Sequence, residues 1–278
     1  GYDGDDYLAA EARIRAPAEV IFDQQHSIDL ADWDNHSVRR IDAVSGIITT
    51  LIGNGDCGYS ADDTLAPEAQ LCDPVDLAFD KAGNMYIAEK GNHLIRKVDA
   101  ITNKLSTVAG VYDESGFNGN NLPATESYLD DPESIEFDTQ GNLIIADTDN
   151  HIIRKLDWQT GLLKVIAGQP EDSGSDGDGG LAMDAWLNDP NGLAFDQAGD
   201  LYVVDRDNYR VRKISISTGM INTVAGSDEE GYSGDGGLAT EASLNEPFDV
   251  AFDSQGNFYI ADIDNCNVRK VQVLTGII

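Results

Sequence analysis

The sequence repeats itself five times with a period of 57 or 58 residues. A Phe-Asp step occurs once in each copy, and a proline stands five residues before it. The phenylalanines of this step are Phe22, Phe79, Phe137, Phe195 and Phe252. A fixed period of this length indicates one supersecondary unit per copy, which buries its apolar surface by stacking on its neighbours.

Each copy contains four short apolar segments separated by turns rich in Gly, Asn and Asp. Residues 190–226 show the pattern as PNGLAFDQAGDLYVVDRDNYRVRKISISTGMINTVAG. The turns are too short to contain a crossover helix, so consecutive strands must pair antiparallel. We therefore predict an all-β fold, a β-propeller of four-stranded antiparallel blades with one blade per copy.

The five copies fill the chain, which we interpret as a single propeller domain over residues 1–278. The approximate copy boundaries are 1–53, 54–110, 111–168, 169–226 and 227–278. The last copy ends where its fourth strand begins, so the blades either close as five or form an arc of a six-bladed propeller. We favour closure, with contact between Phe22 and Phe252. The connections between copies carry a Leu-Ala-x-x-Ala-x-Leu spacing, which predicts one helical turn.

Two segments, Glu89–Lys97 and Asp147–Lys155, resemble the signature of NHL repeats, and the patterns GNMYIAE and GNLIIAD precede them. The Gly-Asp-Gly-Gly connections and Val-Ala-Gly strand ends resemble those of bacterial secreted NHL arrays and of the teneurin propeller. The resemblance covers nearly the whole chain. It implies the propeller fold, but it does not define a function, because propellers include binding modules, scaffolds and enzymes.

An acid and an arginine occur at equivalent places in every copy. The acids end the second strand, and the arginines lie in the third: Asp32, Glu89, Asp147, Asp205 and Asp262; Arg39, Arg96, Arg154, Arg212 and Arg269. Opposite charges at the same place in each blade predict structural ion pairs. The alternative is a ring of guanidinium groups that binds an anion.

The turn between the second and third strands contains an asparagine in each copy, and we expect it to tolerate the left-handed conformation. The following residue is His36, His93 or His151 in the first three copies. Three imidazoles on one metal ion would form a catalytic centre, as in the peptidyl-hydroxyglycine amidating lyases, whose architecture this chain resembles. We instead expect the three histidines not to meet, because such turns lie away from a propeller axis.

The charge balance limits the classes of molecule that the protein can bind. The chain has 18 basic and 50 acidic residues and a net charge of −32. Such a surface disfavours nucleic acid and anionic membranes, and no apolar run is long enough for membrane insertion. The acidic connections at 172–178 and 228–235 resemble calcium-ligand spacing, but we favour solvated surface acidity as their explanation. We therefore expect no cofactor, with calcium or zinc as the alternatives.

Cys57 and Cys72 lie 15 residues apart in one polar loop. We predict a disulfide between them, the alternative being two free thiols. A disulfide favours an oxidising location, so we expect a secreted, extracellular or periplasmic protein.

The regularity of the copies favours a non-catalytic binding or scaffold module that presents loops to a protein, peptide or glycan. The alternative function is a metal-dependent lyase or hydrolase with a central histidine site.

Overall fold

The chain folds as an all-β propeller of five blades, as the repeat predicts. The computed structural model describes residues 4–278. In these residues, twenty strands form five sheets, one for each copy of the repeat. Except for the short β9 (Leu122–Pro123) of the third copy, consecutive strands of a copy are neighbours in its sheet, because short turns allow only hairpin connections.

The first two sheets contain β1 (Pro17–Phe22), β2 (Ile28–Asp32), β3 (Ser37–Ile41) and β4 (Ile48–Ile52), then β5 (Pro74–Phe79), β6 (Met85–Glu89), β7 (Leu94–Val98) and β8 (Leu105–Ala109). The third contains β9 (Leu122–Pro123), β10 (Pro132–Phe137), β11 (Leu143–Asp147), β12 (Ile152–Asp157) and β13 (Leu162–Ala167), with β9 as a fifth strand beside β13. The fourth contains β14 (Pro190–Phe195), β15 (Leu201–Asp205), β16 (Arg210–Ile214) and β17 (Ile221–Ala225), and the fifth β18 (Pro247–Phe252), β19 (Phe258–Asp262) and β20 (Asn267–Val271).

Short 3-10 helices occupy two places in the repeat. One set lies in the connections and confirms the predicted helical turn: Ala9–Glu11, Ala66–Glu68, Ala124–Glu126, Ala182–Asp184 and Ala239–Glu241. The other set forms the turn between the second and third strands: Trp33–Asn35, Lys90–Asn92, Thr148–Asn150 and Arg206–Asn208.

The asparagine of this second turn is not the left-handed residue, contrary to the sequence expectation. The residue after it has the positive φ, for example 48° at His36 and 54° at His93. The asparagine instead donates a hydrogen bond to the acid that ends the second strand, over 2.9 Å from Asn35 to Asp32. The side-chain bond fixes the turn, and the following residue reverses the chain.

The chain divides into two compact units. The first comprises Gly1–Leu143 and Trp158–Leu163, and the second comprises Ile144–Asp157 and Lys164–Ile278. In the first unit, Ala31 and Ile52 of the first sheet pack in one cluster with Leu77 and Ile87 of the second. In the second unit, Val204 of the fourth sheet and Val250 of the fifth share another cluster. Consecutive blades thus bury apolar residues between their faces.

Candidate functional site

Each blade has two chemically different edges. The hairpin between its first two repeated strands, and in the first four blades the hairpin between the last two, lie at one edge, which we call the hairpin edge. The turn between the second and third strands and the connection from the preceding blade lie at the other, the connection edge. The up-and-down order of an antiparallel sheet requires this division.

The structure pairs the acid and the arginine of each copy within the blade. The distances from arginine Nη1 to the carboxylate are 3.5 Å for Arg39–Asp32, 4.0 Å for Arg96–Glu89, 3.2 Å for Arg154–Asp147, 3.7 Å for Arg212–Asp205 and 3.6 Å for Arg269–Asp262. All ten side chains are buried. Each guanidinium lies beside a carboxylate of its own blade, which supports the structural role over a ring that binds anions.

The buried arginines also hold the connections. Arg212 donates to Asp178 at 2.6 Å and to the carbonyl oxygen of Trp186 at 2.7 Å, and Arg269 donates to Asp235 at 2.7 Å. Burial acts to raise the pKa of Asp178, but hydrogen bonds from Thr223 and Arg212 outweigh it and lower that pKa. These carboxylates belong to the acidic connections, so a calcium ion there would compete with a guanidinium.

The three candidate histidines each contact the start of the following blade. The backbone N–H of Asp73 donates to Nδ1 of His36 over 3.3 Å, that of Asp131 to His93 over 3.1 Å, and that of Asp189 to His151 over 3.2 Å. The left-handed turn residue aims the imidazole away from its own blade. Among the described residues, no cluster of ligand atoms within 4.8 Å contains two of these histidines.

The His151–Asp189 pair shows the electrostatics of this contact. Nδ1 of His151 lies 3.2 Å from Oδ1 of Asp189. The hydrogen bond to Asp189 raises the pKa of His151, and the same bond lowers the pKa of Asp189. Nδ1 of the neutral imidazole accepts from the backbone N–H of Asp189, whereas a protonated Nδ1 donates to the Asp189 carboxylate instead, so the two blades stay in contact in both states.

A disulfide joins Cys57 to Cys72, as predicted, with their Cα atoms 4.3 Å apart. Cys57 lies in the connection to the second blade, and Cys72 lies just before β5. Cys57 is exposed, whereas Cys72 is only 6% exposed. The bond ties the connection to the blade that follows it. Cys266 is a free, exposed cysteine.

Replacing both Cys57 and Cys72 by serine is expected to lower the free energy of unfolding by about 3 kcal/mol. The loop spans 15 residues, and opening it restores conformational entropy to the unfolded chain. Urea unfolding measures the change. Cys266→Ser is the control and should change stability by less than about 0.5 kcal/mol. A double variant as stable as the parent would contradict the prediction.

A pocket of about 490 Å³ opens at the hairpin edge of the first unit. Tyr86, Phe137 and Trp158 form its aromatic wall, and we call it the aromatic pocket. Tyr86 is buried and meets Phe137 edge to face, with ring centroids 5.0 Å apart. Trp158 meets Tyr86 edge to face at 6.0 Å and is 43% exposed. The pocket therefore offers a large, partly exposed aromatic ring held against a buried one.

Charged residues also line the aromatic pocket. Asp80 and Lys81 line the pocket, and Nζ of Lys81 donates to the carbonyl oxygen of Thr139 over 3.3 Å. Burial and the nearby charge of Asp80 raise the pKa of Tyr86, so its hydroxyl stays protonated. Burial acts to raise the pKa of Asp80, but hydrogen bonds from Asn84 outweigh it and lower that pKa. The rim thus presents an ionised carboxylate beside the aromatic rings.

Trp158 distinguishes this pocket from the equivalent place in the other copies. Tyr202 and Phe252 repeat the edge-to-face contact at 4.8 Å in the second unit, so the Tyr–Phe pair belongs to blade packing. The counterparts of Trp158 are Ala43, Ala100, Ile216 and Val273. Sequence analysis missed this residue, although a tryptophan at a position that is aliphatic in four copies is a readable signal.

Comparison with known proteins agrees with the architecture. The model of the teneurin NHL domain matches residues 2–173 and 160–232. The chain is 29% identical over 275 residues to the protein suppressor of quenching 1, chloroplastic, of Arabidopsis thaliana, covering 96% of this chain and 26% of that protein. It is 30% identical over 244 residues to mouse teneurin-1, covering 79% of this chain and 9% of teneurin-1. The chain thus spans about a quarter or less of these two relatives.

The solved structure of an auxiliary nutrient binding protein from Bacteroides ovatus superposes with a TM-score of 0.68 at 22% identity, covering 93% of this chain and 59% of that one. This likeness shows a shared fold. In the described part of this chain, no helix has the length and apolar character needed to cross a membrane.

Proposed function

The chain belongs to the teneurin NHL domain family, and from that premise we propose that it is a non-catalytic binding module which holds a basic protein segment in the aromatic pocket. The observation that carries the proposal is Trp158, a partly exposed aromatic ring packed edge-on against buried Tyr86. Tryptophan and tyrosine supply much of the binding energy in protein interfaces, because they bury a large area with little loss of side-chain entropy.

Charge supports a basic partner. The acidic residues outnumber the basic ones by 50 to 18, and two carboxylates, Asp80 and Asp138, line the pocket against one lysine, Lys81. A lysine or arginine of the partner would stack on the exposed face of Trp158 and approach these carboxylates. The negative electrostatic field of the whole chain would also speed association with a basic partner. The association rate constant should therefore fall as salt is added.

We further propose that the protein works in a secreted, extracellular or periplasmic location. The Cys57–Cys72 disulfide supports this, because such bonds persist in oxidising compartments.

Replacing Trp158 by alanine is expected to weaken binding of the basic partner by at least about 30-fold, which corresponds to roughly 2 kcal/mol. The probe is an immobilised library of peptides that combine lysine or arginine with apolar residues, and neutral glycans form a second arm. Affinities of the best binders are then measured by calorimetry for the parent and the variant.

Trp186→Ala is the matched control, since Trp186 is also 43% exposed but lies outside the pocket. It should leave the affinity unchanged. Glycan binding without peptide binding would overturn the assignment to a basic protein segment. Equal loss in both variants would overturn the assignment to the aromatic pocket.

A further inference from the structure

A second cluster lies at the connection edge between the first and second blades, independent of the aromatic pocket. His36, Cys57 and Cys72 each direct one ligand atom into it, and these atoms all lie within 4.8 Å of one another. His36 comes from the turn after β2, Cys57 from the connection, and Cys72 from the residues before β5. Three separate segments thus bring two sulfurs and one imidazole to one place.

We propose that reduction of the Cys57–Cys72 disulfide turns this cluster into a binding site for a thiophilic divalent cation such as Zn²⁺. A dithiol supplies two electrons and two protons, becomes a disulfide itself and leaves two thiols on the chain. Zn²⁺ then replaces the two thiol protons, which are released to solvent, and the neutral imidazole adds a nitrogen ligand. Two cysteines and one histidine form a ligand set that zinc takes with a fourth position open.

The exposure of the two cysteine residues determines which one a reductant reaches first. Cys57 is exposed and Cys72 is buried, so the attacking thiolate reaches Sγ of Cys57 and forms a mixed disulfide with it. Cys72 leaves as a thiolate beside His36. The second thiol of the reductant then frees Cys57. The better access to Cys57 favours this order.

The spacing suits a tetrahedral cation once the bond is broken. Reduced sulfurs separate to about 3.8 Å, which is also the distance between two sulfur ligands at ~2.3 Å from a tetrahedral zinc ion. A parallel bridge between Cys57 and Leu71 keeps the two segments together. The carboxylate of Asp73 lies 3.3 Å from Nδ1 of His36, so a further negative charge stands beside the cluster.

The turn between β6 and β7 leaves room for Sγ of Cys72, because it contains Gly91. A Cβ atom on Gly91 would lie 2.8 Å from Sγ of Cys72 and 2.9 Å from a carboxylate oxygen of Asp73. The other four copies carry aspartate at this turn position: Asp34, Asp149, Asp207 and Asp264. The glycine therefore occurs in the copy whose neighbouring loop contains the cysteine pair.

The test uses the whole chain, reduced with a phosphine under anaerobic conditions and titrated with Co²⁺ as a spectroscopic probe. We expect one equivalent to bind with thiolate-to-cobalt charge-transfer absorption, and Zn²⁺ to displace it. Zn²⁺ should also protect Cys57 and Cys72 from alkylation. The oxidised chain and the reduced Cys57→Ser/Cys72→Ser variant should show no charge-transfer absorption.

His36→Ala is expected to weaken cobalt binding by at least about 100-fold, above the range for residues that only orient a ligand. His93→Ala is the matched control, because His93 occupies the same turn position in the second blade, and it should bind as the parent does. If His36→Ala does not fold, His36→Asn replaces it, since asparagine tolerates the left-handed conformation. The proposal is overturned if the reduced chain shows no thiolate–cobalt absorption, or if the folded His36 variant binds cobalt as tightly as the parent.

Discussion

Replacing Arg212 by alanine is expected to lower the free energy of unfolding by about 3–5 kcal/mol. The guanidinium is fully buried and contacts Asp205 in its own blade, Asp178 in the connection and the carbonyl oxygen of Trp186. Without it, the buried Asp205 carboxylate loses a charge partner and the connection loses its anchor. The low polarizability of the interior makes an unpaired buried charge far more costly than an unpaired surface charge.

Urea unfolding of the parent and the variant measures the effect. Lys104→Ala is the control, because Lys104 pairs with Asp63 over 3.2 Å on an exposed part of the surface. It should change stability by about 0–1 kcal/mol. Arg212→Lys should recover only part of the loss, since one ammonium group cannot reproduce the fork of donors that serves three partners. The prediction is contradicted if Arg212→Ala and Lys104→Ala lower the free energy of unfolding by the same amount.

Glu89→Gln is expected to remove a pH dependence of stability between about pH 4.5 and 7. Glu89 is the one glutamate among the five strand-end acids, and its Oε1 has no hydrogen-bond partner. Burial raises its pKa to about 7, although Arg96 and Asn92 oppose the shift. A carboxyl that binds its proton more tightly when folded adds stability below pH 4.5, and this contribution is lost as the pH rises through 7.

The free energy of unfolding of the parent should therefore fall relative to that of Glu89→Gln by about 3 kcal/mol as the pH rises across this window. Urea unfolding of both proteins at several pH values measures the difference in free energy of unfolding. The titration of groups that the two proteins share cancels in this difference. Glu68→Gln, at an exposed glutamate, should give a difference that stays within about 0.5 kcal/mol. A constant difference for Glu89→Gln would show that its pKa is not raised by folding.

The candidate sites were partly readable from the sequence. The disulfide was predicted because Cys57 and Cys72 share one short loop, and the acid–arginine pairs were predicted because both charges recur in every copy. The left-handed turn residue was placed one position too early, since the bond from Asn35 to Asp32 is a contact that residue preferences do not include. Trp158 could not be predicted from features that all five copies share, because it occurs in one copy alone.

The sequence by itself determined the order of the repeated strands within a copy, their antiparallel pairing and the five copies, but not the added β9 of the third sheet. Those features depend on spacing within a copy, where short turns leave a single way for consecutive strands to pair. Only the tertiary structure decided which side chains of different copies meet: His36 with the disulfide of the next copy, and Trp158 with Tyr86 of the preceding one. Such contacts depend on how one blade face packs on another, because packing joins residues that no local pattern relates.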